Sequence, residues 1–403
     1  MIRKKLREIK IAASQPGGLK RKIKYYQFAK LARKNGVIDF RVDRIAKEYL
    51  HDYFDYQGET KETKEWGYKR GIPSYKLKYY GMTKDNYRDY ISDFDFYNKE
   101  NYRNRDFESW FENKLSTYYL LMPFKSHMPR HYWYARDKEF LPLDVENKKN
   151  GSVKDIMDLI KTEKVIAAKA VTGGHGIGFY KLQYDNGKFY ANNSQIEESK
   201  MTELVRGLDN YIITEYVKPH KHYEELCGKD AFAVIRVLMI YDKEEGSKFT
   251  ASLIRLGCKE AGVVTDYHGT IYCGLKLDNG ESFKPIYRED DDTFIPCPTH
   301  PDTGKNLIGD IVPDWDELKR FVTEISEYIP MTPYLIMDIV PTDDGFSILE
   351  INSHGQLRIL EPFYPFLKNK YNRKIFKIKL KLNPSLKGIR FTLGLKKVSP
   401  NCN

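Results

Sequence analysis

Residues Val165 to Gly178 read VIAAKAVTGGHGIG. The stretch opens as a short apolar strand carrying one lysine, Lys169, and runs into Gly173, Gly174, His175, Gly176, Ile177 and Gly178. The next residues, Phe179 to Tyr184, alternate apolar and polar like a second strand, and Asp185-Asn186-Gly187 turns that strand back. The glycines therefore join strand to strand. A dinucleotide fingerprint needs G-x-G-x-x-G opening a helix, and here the spacing is G-x-G-x-G before a strand. A phosphate-binding P-loop ends in Gly-Lys-Ser/Thr, which is missing here. Two readings remain. One is a flexible hairpin whose amides approach phosphate oxygens, with Lys169 as a point charge. The other is a plain glycine hairpin with a solvated lysine.

The chain around this stretch has 403 residues, enough for two or three domains, and a hydrophobic content of 41% that supports a buried core. No apolar run approaches the length of a transmembrane helix. The N-terminal MIRKKLREIKIAAS is basic without an apolar core, which reads against a secretory signal. Five cysteines without C-x-x-C spacing suggest reduced thiols in a cytoplasmic protein, without a zinc site. The net charge of +11 is concentrated at the two ends. Lys4, Lys5, Arg7, Lys10, Lys20, Arg21, Lys22 and Lys24 stand near the start against Glu8 alone, and no acid follows Glu361. Such ends suit an anionic surface, or serve solubility alone. A nucleic-acid recognition motif is missing between them, so no nucleic acid is expected.

Residues 1–105 read as a mainly helical, tyrosine-rich region. Residues 106–164 carry a helix at Phe107–Leu115 and another at 153–161 that follows Ser152, a good N-cap. Residues 165–220 hold the glycine hairpin and a buried strand, Tyr211–Val217, stopped by Pro219; the backbone of Glu215, Tyr216 and Val217 is left with free polar groups. Residues 221–362 contain two long strands, 231–241 and 249–257, each with one arginine inside an apolar run, Arg236 and Arg255. A mid-strand arginine needs an anion, either a structural carboxylate or a ligand phosphate. Further on, Tyr334 to Asn352 forms two apolar strands around Asp343-Asp344-Gly345. A three-residue loop pairs Thr342 with Phe346 and Asp338 with Glu350. Glu350 and Asn352 share a face, because side chains repeat every second residue. Asp338, Glu350 and Asn352 then offer three hard oxygen ligands suited to Mg²⁺ held with phosphates. Residues 363–403 form a basic tail.

Taken in order, Asn113-Lys114, Lys169 with its glycines, Glu215-Tyr216-Val217, Arg236, Arg255, the His300-Pro301-x-Thr303-Gly304 turn and Asp338…Glu350-x-Asn352 resemble the ATP-grasp superfamily. More narrowly they resemble the sugar-transfer-associated ATP-grasp proteins of bacterial polysaccharide gene clusters. The resemblance implies an α+β ATP-grasp fold, with two α+β subdomains clasping ATP behind a helical N-terminal region. It implies that Lys114 and Lys169 hold phosphates under a lid of Gly173, Gly174, His175, Gly176 and Gly178. Glu215, Tyr216 and Val217 would meet adenine, Arg236 and Arg255 the transferring phosphate, and Asp338, Glu350 and Asn352 two Mg²⁺ ions. The chain departs from the family pattern where Val234-Ile235 replace Asn-Thr before the first arginine, and where Val264-Thr265-Asp266 precede Gly269 and Gly274 instead of paired glycines.

The expected chemistry is ligation of a carboxylate to an amine through an acyl phosphate. The polysaccharide setting implies a uronic acid and an amino acid or small amine. The rival expectations are phosphoryl transfer to a hydroxyl, and a non-catalytic nucleotide-binding protein. A membrane-facing role for the basic tail, at the inner face of an anionic bilayer, completes the expectations.

Overall fold

The computed structural model describes residues 18–96, 104–143, 149–173, 176, 178–228, 231–259, 269–289, 294–353 and 357–376. Two seven-stranded antiparallel sheets form its frame. The first contains β1 (His131–Arg136), β2 (Glu139–Pro142), β3 (Val165–Ala170), β4 (Phe179–Asp185), β5 (Lys188–Ala191), β6 (Ser194–Ile196) and β7 (Tyr211–Glu215), in the order β2-β1-β7-β3-β4-β5-β6. Asn186 and Gly187 both have positive φ, at 48° and 82°, and close the β4–β5 hairpin as a two-residue turn. The sheet takes its first two strands from the segment that precedes the glycine stretch.

The second sheet contains β8 (Ala233–Asp242), β9 (Gly246–Gly257), β10 (Thr270–Leu275), β11 (Ser282–Arg288), β12 (Phe294–Pro296), β13 (Tyr334–Thr342) and β14 (Gly345–Asn352), in the order β12-β11-β10-β9-β8-β13-β14. Strands buried on both faces read as near-continuous apolar runs, and β8, β9 and β13 do so.

Helices cover the sheets. The N-terminal region comprises α1 (Gly18–Lys34), α2 (Asp39–Phe54), α3 (Lys61–Tyr68) and α4 (Ser74–Tyr80). It has its own core of Phe28, Ile45, Tyr49 and Tyr68. Then come α5 (Glu108–Phe111), α6 (Lys114–Leu120), α7 (Val153–Glu163), α8 (Glu198–Arg206), α9 (Lys221–Cys227), α10 (Trp315–Tyr328), α11 (Leu357–Leu360) and α12 (Lys370–Phe376). Ser152 and Asp155 form a capping box at the start of α7. Ile156 and Ile160 of α7 and Met201 and Val205 of α8 pack on one face of the first sheet. Leu318, Val322 and Ile325 of α10 cover one face of the second sheet, and Leu357, Leu360 and Phe366 cover the other. The helical region docks there through buried charge: Lys76 lies 2.8 Å from Asp93 and 3.9 Å from Glu361, and Ile91 donates its N–H to Glu361. No helix among the described residues is long and apolar enough to cross a membrane.

The helix expected over Phe107–Leu115 is broken at Glu112-Asn113. Asn113 is extended (φ −106°, ψ 108°), bridges Thr172 and caps α6 by accepting from the Ser116 N–H at 3.0 Å. Pairing with the exit of β3 overrides helix propensity and places Lys114 at the head of α6. Asn113→Ala is expected to cost about 1 kcal/mol, read from urea unfolding, and to weaken whatever ligand Lys114 holds.

Candidate active site

The side chains of β3 alternate. Ile166 and Ala168 enter the core beneath α7 and α8. Lys169 lies on the opposite face, in a cleft shared by both sheets. The cleft is also lined by Lys114, Tyr118, His131, Ile348 and Glu350. Burial pulls the Lys169 ammonium down to about 8; Glu350 opposes that shift and Lys114 reinforces it. Two cations and one carboxylate thus share one low-dielectric space.

Lys114 is positioned by its backbone and used by its side chain. Its N–H donates to the Val171 carbonyl, which follows β3. Its ammonium donates to the Gly173 carbonyl at 2.9 Å and stands 3.8 Å from Glu350 Oε1. One lysine therefore links the first glycine of the loop to a carboxylate of the second sheet. Gly178 closes the loop at φ +75°, where a Cβ would lie 2.9 Å from the Ala170 Cβ and 3.0 Å from the Tyr211 hydroxyl. Only glycine meets both demands. Gly176 also has positive φ and is exposed; Gly174 and His175 lie outside the described residues.

On the second sheet, Asp338 stands opposite Glu350 and also opposite Arg236. The route to that register differs from the expected one. Thr342 pairs with Gly345 across a two-residue turn, and Ile339 pairs with Ile348. Leu349 is then surplus, and a β-bulge beside it brings Asp338 back opposite Glu350. Strict alternation cannot reveal a bulge, so the three-residue loop expected from the sequence is a two-residue turn with a bulge further along the strand.

The two mid-strand arginines meet a carboxylate of the protein. Arg236 donates through Nε and Nη2 to the two Asp338 oxygens, both at 2.8 Å, and Arg255 Nη2 lies 3.0 Å from Oδ2. Burial pushes the Asp338 carboxyl upward, but the two guanidinium groups outweigh it and hold it at about 2. The Glu350 carboxyl has the opposite balance. Burial raises it, and Lys114 only partly offsets that.

The donor set can be tested against Mg²⁺. Asp338 Oδ1 receives the Arg236 Nε–H, and a carboxylate oxygen can accept more than one bond. Asn352 carries a buried Nδ2 without a hydrogen-bond partner among the described residues. Turning that amide over presents Oδ1, a hard oxygen, at the same place. Glu350 sits on the same face. These three residues fit a cation that takes oxygen ligands.

Between the sheets the chain runs through Tyr216, Val217, Lys218 and Pro219. The Glu215 N–H donates to the Arg130 carbonyl at 2.8 Å, and the Glu215 carboxylate accepts from the Arg130 N–H at 3.1 Å. The Tyr216 ring lies 5.1 Å from the Lys181 ammonium, and Val217 packs with Val234 and Val340. His220 donates its N–H to the Pro341 carbonyl of β13 at 2.7 Å, which ties the connection to the second sheet.

The structure separates two histidines. His300, of the His300-Pro301-x-Thr303-Gly304 turn, is fully buried and bonds the Gly257 carbonyl and the Asp302 N–H. It holds the turn. His131, which no motif marks, lines the cleft. Its Nδ1 bonds the Pro129 carbonyl at 2.7 Å, its ring stacks on Tyr118, and burial lowers it to about 4. With Nδ1–H given to Pro129, the neutral imidazole keeps Nε2 as an acceptor.

The Lys169 shift predicts a pH profile. Its folded value lies below the ordinary lysine value of 10.5, so the unfolded chain holds the extra proton between pH 8 and 10.5, and the Lys169 contribution to stability rises with pH across that window. Binding of an anion moves the other way. Affinity for a polyphosphate is expected to fall roughly tenfold between pH 7.5 and 9. In Lys169→Arg, titrated by calorimetry over the same range, this slope is expected to vanish.

The sequence model of a family described as sugar-transfer associated ATP-grasp matches residues 94–362. The comparison with curated proteins returns no match. Among solved structures, the chain is similar to an N5-carboxyaminoimidazole ribonucleotide synthetase in complex with ADP (10% identity, TM-score 0.33, 62% of this chain and 46% of that one). It is also similar to an L-amino acid ligase from Bacillus licheniformis (10% identity, TM-score 0.31, 61% and 41%). A third is D-alanyl-alanine synthetase A from Vibrio cholerae O1 biovar eltor (11% identity, TM-score 0.35, 68% and 62%). The chain spans less than two thirds of the length of each of these structures.

Proposed function

The chain belongs to the sugar-transfer-associated ATP-grasp family, and from that premise we propose that it is an ATP-dependent ligase joining a carboxylate to an amine. The observation that carries this reading is the meeting of Lys114, Lys169 and Glu350 in one cleft between the sheets. A site with two enclosed lysines and a carboxylate-rich hairpin suits a polyphosphate accompanied by a hard cation.

In the proposed reaction a substrate carboxylate oxygen attacks the γ-phosphorus of ATP. The bond to the bridging oxygen breaks and ADP leaves. The amine nitrogen then attacks the acyl carbon, inorganic phosphate leaves with its oxygen, and the nitrogen gives up a proton. Lys114 and Lys169 neutralise phosphate charge as it shifts toward ADP. Arg236 and Arg255 fix the Asp338 carboxylate, and through it the geometry of the β13–β14 hairpin. Mg²⁺, held by Asp338, Glu350 and Asn352, supplies charge neutralisation across the phosphates when bound; two such ions are proposed. The Gly173–Gly178 loop closes over the phosphates and keeps water from the acyl phosphate. The backbone at Glu215–Val217 and the His131 Nε2 acceptor receive the base. The proposed acid is a uronic acid, the amine an amino acid or small amine, and the setting cytoplasmic synthesis of a bacterial surface polysaccharide.

The test is ADP release with Mg²⁺, ATP, hydroxylamine and a panel of uronic acids. A hydroxamate formed with one acid supports the ligase. ADP release with a phosphorylated hydroxyl product and no hydroxamate overturns it in favour of phosphoryl transfer.

A further inference from the structure

The basic N-terminus is not used by the proposed reaction, and its first described helix has two unlike faces. Tyr25, Phe28, Ala29 and Ala32 of α1 are buried in the core of the helical region. On the other side Leu19 is 72% exposed, Ile23 48% and Tyr26 42%. These three recur at i, i+4 and i+7, one stripe of a helix, and exposed Lys30, Arg33 and Lys34 continue it. The helix contains no acidic residue. Lys20, Lys30 and Lys34 have no acidic partner among the described residues, whereas Arg21, Lys24 and Arg33 lie near Asp55, Glu65 and Asp39. Phe40, at the start of α2, adds another side chain 66% exposed.

We propose that this outward face of α1 docks on an anionic lipid bilayer. The buried face already anchors the helix, so folding gives no reason to expose Leu19 and Ile23. A surface of aliphatic anchors with lysines beside them matches a membrane interface, where apolar side chains reach the acyl boundary and lysine stems bring their charges to the headgroup phosphates. A second copy of the chain is a poor occupant. An isologous contact would set cations against cations. The chain's own first residues are no better, since residues 1–38 carry twelve lysines and arginines against one acid, Glu8. Nucleic acid would satisfy the charge and leave the aliphatic stripe in water.

The experiment is flotation of the full-length protein with vesicles of phosphatidylcholine alone or with phosphatidylglycerol. The wild type is expected to float with the anionic vesicles, to stay behind with neutral ones, and to be released by salt. Lys20→Glu with Lys30→Glu is expected to reduce partitioning by more than tenfold, since each removed cation accounts for roughly fivefold. Leu19→Glu with Ile23→Glu is expected to do the same. Both variants change exposed positions, so circular dichroism should show wild-type helix content and melting. Lys396→Glu with Lys397→Glu serves as the control in the distant basic tail and should float as the wild type does. The proposal is overturned if the wild type ignores anionic vesicles, if both α1 variants float normally, or if only the tail variant loses binding. It is also overturned if the wild type is a dimer that Leu19→Glu with Ile23→Glu dissociates in the absence of lipid.

Discussion

Asp338→Ala is expected to destabilise the protein by about 3–5 kcal/mol and to abolish turnover. The carboxylate is 5% exposed and receives three bonds from two buried guanidinium groups. Its removal takes from both buried cations the carboxylate they share, and weakening the pairing of buried charge is among the largest single-residue penalties. Asp338→Asn keeps the shape and one acceptor but removes the charge, so it should lose less stability and nearly as much activity. The wild type carries the matching pH signature. The Asp338 carboxyl is held down to about 2, below the ordinary aspartate value of 3.8. Its stabilising contribution is therefore complete above pH 3.8 and lost as pH falls toward 2. Urea unfolding of wild type and both variants at pH 7, with an acid series for the wild type, checks these expectations.

Glu350→Gln is expected to lower kcat by about 10²–10³-fold while leaving the fold intact. Burial holds the Glu350 carboxyl above its ordinary range, so its charged form destabilises the folded state at neutral pH. A neutral isostere removes that cost, and stability should stay level or rise slightly. The chemistry loses more. Lys114 loses the carboxylate 3.8 Å away, and the hairpin loses an acid that lines the cleft. The Mg²⁺ concentration for half-maximal activity should increase. Steady-state kinetics over a Mg²⁺ series, alongside thermal melts, separates a lost site from a lost fold: kcat should drop with Tm unchanged.

Local signals read from the sequence extend as far as local physics. The glycine stretch joins strand to strand, Asn186-Gly187 makes a tight hairpin, and Arg236 and Arg255 come from neighbouring strands. Each depends on alternation or turn chemistry within a few residues. What stayed hidden depends on contacts distant in sequence. The break before Lys114 exists because Asn113 bridges Thr172. The arginines had two admissible anions, and only the packed sheet shows Asp338 taking both. His131 stands two residues after a proline at the start of a strand, which signals nothing until Tyr118, Pro129 and Lys169 gather around it. The docking of the helical region through Lys76, Asp93 and Glu361 joins residues far apart along the chain, and no periodicity announces it.

The central claim is that the cleft between the sheets binds ATP with Mg²⁺, and calorimetric titration of ATP into the full-length protein tests it most directly. The expected result is saturable one-site binding that Mg²⁺ tightens and that Lys169→Ala weakens by at least tenfold. Folded wild-type protein that binds no ATP, or that binds it equally without Mg²⁺ and in Lys169→Ala, would contradict the account.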